Sequence, residues 1–367
     1  MGRFRKVFRR LADPRAANAR HDLLEVLVIA LAAVLCGAET CSDMAEFGQA
    51  KEGLLRLFLR LEHGIPSHDT FSRVFRLLKP EAFEAAFRRF MVAFAKTNRL
   101  DLTGVVAIDG KALRGAFERG SRTEPLHMVN VWAVEARMSL AQQKAAGRNE
   151  TAGALEVLEL LSLEGCIVTA DALHCHRAMA KTILDRDGDY VLAIKANRGP
   201  LFKAVVGQFA RSGKRSVTKQ VEPSTHDRHE ARRATIMRNT SLAAVHGFPG
   251  VVAIGRITSR RRLHGNPADP PNVRYYLLSK NMSAKRLLQV TRSHWTIENQ
   301  LHWVLDVHFG EDGNRTRMDN APENLAILRR LALNILRTHP DPKPVRRKIK
   351  RAGWDEGFLM AMLSHMR

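Results

Sequence analysis

Three acidic residues of this chain each follow a short apolar segment and have basic or amide side chains close by. Asp109 follows Val-Val-Ala-Ile, Asp171 follows Ile-Val-Thr-Ala, and Glu298 follows His-Trp-Thr-Ile. Carboxylates brought close together repel, and a divalent cation removes that repulsion. Oxygen ligands suit Mg²⁺ or Mn²⁺. Two such ions about 4 Å apart can activate a water or a 3′-hydroxyl and stabilise the leaving oxygen of a phosphoryl displacement.

The charge balance of the chain indicates an anionic partner. Its 367 residues include 59 Lys plus Arg against 37 Asp plus Glu, which gives a formal net charge of +22. Such an excess is typical of proteins that bind nucleic acid, and an anionic membrane surface is the second possibility. Carboxylates held together in a basic protein therefore predict metal-dependent chemistry on a polyanion, DNA in first place.

The sequence does not favour a membrane protein. The most apolar run, Leu23–Leu35, contains Glu25 and is shorter than the about 20 apolar residues that span a bilayer. The basic N-terminus before this run resembles a signal peptide, but acidic residues interrupt it and no clear cleavage site closes it. The four cysteines show no paired spacing and fit thiols in a reducing cytosol. We expect a cytoplasmic, nucleoid-associated protein without membrane contact.

Hydrophobic periodicity predicts a helical region followed by an α/β sheet. Between about residues 21 and 100 apolar side chains recur at three- and four-residue spacing, and Ser67 or Asp69 is predicted to cap a helix. The predicted strands are Val105–Ile108, Met128–Val134, Met138–Ala141, Cys166–Ala170, Tyr190–Ile194, Val251–Ile257 and Val273–Leu278. Predicted helices at residues 150–161 and 174–187 indicate parallel members in the sheet, preceded by an antiparallel meander. Helices return from residue 283 to about 307 and from 322 to 337.

The predicted organisation has six parts. They are a basic arm (1–20), an N-terminal helical domain that is DNA-binding or accessory (21–103), the first part of an α/β core (104–199), a β-rich insertion (200–284), the C-terminal helices of the core (285–338) and a basic tail (339–367). We expect the arm to be flexible. The tail is interpreted either as a solvated segment or as an arm that contacts phosphates.

The predicted elements place the three acids in relation to one another. Strand ends on one edge of an α/β sheet meet at a crevice, so Asp109 and Asp171 are expected side by side. Glu298 lies on a predicted helix, on the same face as His294 and His302. Taken singly, each acid has a commoner explanation, which is a turn or N-cap for an aspartate and a solvated helix position for Glu298.

Several sequence blocks form an ordered set along the chain. They are Ala107–Gly115, Thr169–Ala172, Tyr190–Asn197, His226–Arg232, His294–Val307 and Glu311–Asp312. In this order the blocks resemble the DDE-type transposases of bacterial insertion sequences, in the subgroup that includes the H-repeat-associated proteins. The resemblance covers nearly the whole chain, and it is specific because all the blocks occur in order.

The resemblance implies an α/β fold with an RNase H-like catalytic core, interrupted by a β-rich insertion and preceded by an N-terminal helical domain. It implies that Asp109, Asp171 and Glu298 are the catalytic metal ligands, and that the cofactor is a pair of Mg²⁺ ions, replaceable by Mn²⁺. It also implies cleavage at the terminal inverted repeats of an insertion element and attack of the freed 3′-hydroxyl on target DNA. The active form would be a homodimer assembled on DNA.

Basic and polar residues around the motifs are the candidates for DNA contacts. They are Lys111, Arg114, Lys195, Arg228, Arg232, His294 and Asn299. The wider family carries Tyr and Arg before the glutamate and Lys after it, where this chain has Thr291, His294 and Leu305. The family's contacts at these three positions are therefore not carried over.

Two further patterns have competing interpretations. Trp295 and Trp303 lie on one predicted helix face, where core packing is favoured over stacking on an unpaired base. His174, Cys175 and His176 resemble part of a zinc site, but no matching second pair of ligands occurs.

Two other functions are compatible with the same residues. One is a metal-dependent nuclease without end specificity, built on the same core. The other is a catalytically silent DNA-binding protein, such as a domesticated transposase. The presence of all three acids favours an active transposase.

Overall fold

A mixed sheet of nine strands lies at the centre of the computed structural model, which describes residues 2–117, 125–211, 215–221, 228–263 and 269–366. The strands are β1 (Gly104–Phe117), β2 (Pro125–Ala133), β3 (Met138–Lys144), β4 (Cys166–Ala170), β5 (Asp189–Ile194), β6 (Ser216–Val221), β7 (Arg228–Arg238), β8 (Ala253–Leu263) and β9 (Asn272–Leu278). They lie in the order β3-β2-β1-β4-β5-β9-β8-β7-β6.

The N-terminal region is helical, as its periodicity predicts. Its helices are α1 (Gly2–Phe8), α2 (Leu23–Leu35), α3 (Cys41–Ala50), α4 (Glu52–Arg56), α5 (His68–Leu77) and α6 (Pro80–Thr97). Ser67 caps α5 by accepting a hydrogen bond from the Thr70 amide, which confirms one of the two predicted caps. Among the described residues, no helix has both the length and the apolar character needed to cross a bilayer.

The expectation of a flexible arm is wrong for the first residues of the chain. Phe4 and Phe8 lie one turn apart on α1, and both are 1% exposed. Their rings stack 4.2 Å apart and meet Phe90 and Phe83 of α6 edge-on. Because the segment is rich in Arg and Lys, its apolar face was not recognised from the sequence. Two aromatic residues one turn apart are enough to form that face.

The first five strands form the RNase H-like core. β1, β2 and β3 make an antiparallel meander, and β4 and β5 continue the sheet parallel to β1. The crossovers to β4 and β5 contain α7 (Glu150–Glu159) and α8 (Arg177–Asp185). Successive residues of β1 point to opposite faces, so Val106 and Ile108 pack against the crossover helices, whereas Ala107 joins the core shared with the N-terminal helices.

The predicted insertion is β-rich, but it also contains two helices that the sequence analysis missed, α9 (Gly199–Ala210) and α10 (Ser241–His246). Its strands do not form a separate sheet. β9 pairs antiparallel with β5, and β8, β7 and β6 follow in turn, so the insertion extends the core sheet beyond β5. The insertion therefore reaches the edge at which β5 ends.

The chain returns to the core through helices. They are α11 (Ala284–His294), a π-helical segment (Ile297–His302), α12 (Trp303–Phe309), α13 (Ala321–Thr338), α14 (Val345–Trp354) and α15 (Glu356–His365). The last two correct the interpretation of residues 339–367 as a solvated tail, because Leu359 and Met362 are fully buried in the core shared with α2 and α13. Lys348 is also buried, and its Nζ donates to the carbonyls of Leu336 and His339 at the end of α13.

Candidate active site

Asp109 and Asp171 follow the last paired residues of two neighbouring strands. The parallel ladder between β1 and β4 ends at the pair Ile108–Ala170, and the two aspartates come next on their strands. The sequence predicted that this strand ends at Ile108. In the structure β1 instead continues to Phe117, paired with β2 alone. The two carboxylates therefore lie where β1 and β4 part, which is an edge open to a ligand.

Glu298 lies on the π-helical segment between α11 and α12. A π-helical turn inserts an extra residue into the helix and is frequent at functional sites. The segment brings Glu298 to the edge where β1 and β4 part. Asp109, Asp171 and Glu298 all line one cavity of about 650 Å³. The structure thus places the three acids, which span 190 residues of the chain, around one cavity. Of the three, Asp109 and Glu298 have ligand atoms within 4.8 Å of each other, and Asp171 is not part of that closer group.

The electrostatics of Asp109 reflect this crowding. Burial raises the pKa of the Asp109 carboxyl from its ordinary 3.8 to about 6. The carboxylates of Glu298 and Asp171 act in the same direction, and His302 opposes them. A metal-free site with several carboxylates favours the neutral form of one of them, whereas a cation would favour the charged form. The three carboxylates offer oxygen ligands, which fit a hard divalent cation.

The shift at Asp109 predicts how the stability of the metal-free protein depends on pH. Between pH 3.8 and about 6 the folded protein holds a proton that the unfolded chain releases. The free energy of unfolding should therefore fall as pH rises through this window. Urea unfolding with EDTA at pH 4 to 7 measures it. Asp109→Asn should flatten this part of the profile. If the difference in unfolding free energy between the variant and the wild type is the same at every pH, the assigned pKa is wrong.

A histidine that was not among the predicted site residues completes the acidic cluster. His302 is 3% exposed, and its Nδ1 lies 2.9 Å from Glu298 Oε2 and 3.8 Å from Asp109 Oδ2. The hydrogen bond from His302 lowers the pKa of Glu298. The spacing of four residues between Glu298 and His302 was visible in the sequence. Nothing in the local pattern showed that His302 would be buried against Asp109.

Two of the predicted DNA contacts are not supported by the structure. Lys111 is buried, and its Nζ lies 2.6 Å from Asp306 Oδ1, so its charge is used inside the protein. His294 lies next to Thr169, with Nδ1 3.3 Å from Oγ1. Burial lowers the pKa of His294 to about 4, although Asp171 opposes the shift, so at neutral pH this ring carries no charge for a phosphate.

The structure describes the side chains of four of the five other predicted DNA contacts. Lys195 lines the acidic cavity at the end of β5 and is exposed. Arg232 and Asn299 line an adjoining groove of about 700 Å³ between the insertion and the helix that carries Glu298. Arg114 is exposed on β1 and lies 3.5 Å from Asp312. The side chain of Arg228 lies outside the described residues.

Arg274 on β9 is a cation that the sequence analysis did not single out. It lines both the acidic cavity and the adjoining groove. Its guanidinium lies 5.1 Å from the ring centroid of Trp295. Trp295 and Trp303 are 49% and 54% exposed, so the expectation that both pack in the core is wrong. An isolated arginine after a Pro-Pro turn gives no local signal of where β9 will place it.

The His174–His176 segment has a structural role. His174 and Cys175 are buried, and His176 Nδ1 accepts a hydrogen bond from the Met179 amide at the start of α8. Within the described residues, the one cluster of His, Cys, Asp and Glu with metal-ligand spacing consists of Asp109, Glu298 and His302.

The sequence matches known families over most of its length. Residues 5–91 match the model described as DDE_Tnp_1-associated, and residues 101–335 match the Transposase DDE domain. A putative transposase of Escherichia coli O157:H7, YncI, is 32% identical over 355 residues, which cover 95% of this chain and 90% of the relative. The H repeat-associated putative transposase YhhI of Escherichia coli K12 is 30% identical over 356 residues, covering 95% and 93%.

The piggyBac transposase in its synaptic complex with hairpin DNA is similar over 100% of this chain and 77% of its own, with a TM-score of 0.44 and 11% identity.

Proposed function

The chain belongs to the DDE transposases, in the subgroup of the H repeat-associated proteins, and we propose that it cuts DNA at the ends of an insertion element and joins them to target DNA. The observation that carries this proposal is the meeting of Asp109, Asp171 and Glu298 in one cavity. These residues come from two strands and a returning helix of an RNase H-like core. All three acids required for a metal-dependent phosphoryl transfer are present.

We propose that Asp109, Asp171 and Glu298 are the catalytic residues and hold two Mg²⁺ ions, for which Mn²⁺ can substitute. Crowding of the carboxylates supports this assignment, because the raised pKa of Asp109 reflects burial and negative neighbours that a cation would offset. Such ions would activate the attacking oxygen and stabilise the leaving oxygen of an in-line displacement. The protein residues fix the positions of the carboxylates and place exposed cations beside them.

The surroundings of the cavity suit a DNA backbone. Lys195 and Arg274 line the acidic cavity, and Arg232 and Asn299 line the groove that joins it. Phosphate contacts of this kind position a nucleic acid without reading its sequence. We propose that these residues hold the strand that is cut, with Arg274 supplying a cation where the family's own arginine is absent. The net charge of +22 favours the same partner.

We propose that residues 21–103 form a DNA-binding or accessory unit and that two chains assemble on DNA. Asp109, Asp171 and Glu298 of one chain line a single cavity, and an insertion element has two ends. A dimer on paired ends would give each end its own site. We place the protein in the bacterial cytoplasm, at the nucleoid.

The proposal is tested by incubating the purified protein with Mg²⁺, target DNA and a fragment that carries the inverted repeats flanking its gene. We expect nicks at the repeat ends and covalent joining of those ends to the target, both visible on a denaturing gel. Scrambled repeats are the matched control. Cleavage of scrambled DNA without joining would indicate an end-nonspecific nuclease. Binding without turnover in Mg²⁺ or Mn²⁺ would indicate a catalytically silent DNA-binding protein.

A further inference from the structure

His302 joins the acidic cluster to a chain of buried polar groups. Its Nδ1 faces Glu298, and its Nε2 lies 3.4 Å from Asn130 Nδ2, on the strand beside Asp109. Asn130 in turn contacts Arg330 of α13, which pairs with Glu311. This chain of contacts runs from the cavity through β2 to α13.

The Arg330 side chain determines how the Asn130 amide is oriented. Arginine can only donate hydrogen bonds, so the Asn130 atom 2.7 Å from Arg330 Nε is the carbonyl oxygen. Arg330 cannot turn away, because its Nη1 lies 2.7 Å from Glu311 Oε1 and 3.0 Å from the Ala326 carbonyl. Both members of the ion pair are fully buried. The amide nitrogen of Asn130 must therefore point to the opposite side.

That nitrogen has two hydrogens and two partners. One partner is the Met128 carbonyl at 3.2 Å, and the other is His302 Nε2. A donor that faces a ring nitrogen requires a lone pair on it, so His302 Nε2 is the acceptor. A ring that accepts at Nε2 carries its proton on Nδ1, where it is donated to Glu298 Oε2 at 2.9 Å. The hydrogen-bond pattern thus selects one tautomer of His302.

We infer that His302 is a positioning residue that holds the Glu298 carboxylate through a proton on Nδ1, fixed there by Asn130 and the Arg330–Glu311 pair, and that it is not itself a metal ligand. The inference rests on the proposed function in one respect, namely that Glu298 is a ligand whose orientation matters. It separates His302 from Asp109 and Glu298, although the ligand atoms of all three lie within 4.8 Å of one another.

The competing role for His302 has a structural cost. A ligand nitrogen needs a free lone pair, so metal binding by Nδ1 would move the ring proton to Nε2. That proton would face the hydrogens of Asn130, whose oxygen cannot rotate into place without taking the acceptor away from the buried Arg330 Nε–H. Two donors would then oppose each other in a fully buried position, which is unfavourable. The surroundings of the ring therefore favour the donor role.

The tautomer can be observed without any reaction. ¹⁵N NMR of protein labelled at histidine distinguishes protonated from unprotonated ring nitrogens, and the signals that disappear in His302→Asn belong to His302. We expect a protonated Nδ1 and an unprotonated Nε2 in the metal-free protein, and the same pattern after Mg²⁺ is added. An unprotonated Nδ1, a ring protonated at both nitrogens, or a change of tautomer with Mg²⁺ would each overturn the inference.

Two substitutions distinguish positioning from ligation and from simple packing. Asparagine keeps an N–H near the position of Nδ1, whereas leucine fills the space without a donor. Loss of a residue that orients a ligand typically weakens metal binding by about 10–100-fold. We therefore expect His302→Leu to raise the Kd for Mn²⁺ by that factor and His302→Asn to restore most of the affinity. His308→Leu, on the adjoining helix α12, is the matched control.

Calorimetric titration of Mn²⁺ into each folded variant provides the readout. Equal loss in the leucine and asparagine variants would mean that His302 is a ligand, and no loss in either would mean that its role is packing alone. Both results overturn the inference. Failure of the proposed function looks different, because end cleavage and joining would then be missing in the wild type while the tautomer and the Mn²⁺ titration remain measurable.

Discussion

Asp109→Asn is expected to abolish DNA cleavage and joining while the protein remains folded and bound to DNA. Residues that only orient a metal ligand already contribute about 10–100-fold, so loss of a ligand should exceed about 100-fold. The substitution keeps the shape of the side chain and removes a partly buried charge that lies near the carboxylates of Glu298 and Asp171. Without metal, the variant should therefore be more stable than the wild type above pH 6.

The measurement combines three assays on the same protein preparation. They are end joining with Mg²⁺, DNA binding in EDTA, and urea unfolding. Asp171→Asn and Glu298→Gln should behave alike in the joining assay. Asp185→Asn is the matched control, because Asp185 is an exposed acid that pairs with Lys181 on α8, away from the cavity. Joining by the Asp109 variant at more than about a tenth of the wild-type rate would be incompatible with a metal ligand at this position.

Arg330→Met is expected to have the largest effect on stability among single substitutions outside the cavity. Arg330 and Glu311 are both fully buried, and Arg330 also binds the Asn130 carbonyl oxygen. Burial opposes ionisation of Glu311, but Arg330 and Arg329 together lower its pKa below the usual range. Removing one partner leaves the other charge buried and unpaired, which typically costs about 3–5 kcal/mol of unfolding free energy.

Urea unfolding measures this effect, and a second substitution identifies its origin. The double variant Arg330→Met/Glu311→Leu removes both charges and should recover much of the loss, because an apolar pair of similar volume is often no less stable than a buried ion pair. Arg56→Met is the control. It breaks the exposed Arg56–Glu52 pair and should change stability by about 1 kcal/mol or less. A similar small change in Arg330→Met would show that the buried pair is not important for the fold.

Local pattern alone was sufficient for several elements. The strand Cys166–Ala170 was predicted with the bounds that the structure has, since a central parallel strand is buried on both faces and appears as a continuous apolar run. The meander, the crossover helices and the β-rich insertion were also recognisable, because a helix or strand depends mainly on residues a few positions apart. The order of the three acids belongs to the sequence itself and needs no structural information.

Long-range pairing caused the main errors. β1 was expected to end at Ile108 because polar residues follow. In the structure the strand continues, and the buried Lys111 donates a hydrogen bond to Asp306, 195 residues further along the chain. The basic arm and the basic tail were expected to be solvated because their charges outnumber their apolar residues. Their helices nevertheless bury Phe4, Phe8, Leu359 and Met362, since a few apolar side chains at helical spacing are enough to dock a helix.

The chemistry available to the chain was already present in its residue types, their order and its net charge, because these properties do not depend on packing. Which groups meet was decided only by the tertiary structure. Asn130 reaches His302 across 172 positions and Arg330 across 200, and no periodicity links such residues. Burial and hydrogen-bond partners then set the ionisation of Asp109 and the proton position of His302. The ionisation of Asp109 depends on desolvation and nearby charges, the proton position of His302 depends on hydrogen-bond partners, and these surroundings exist only in the folded protein.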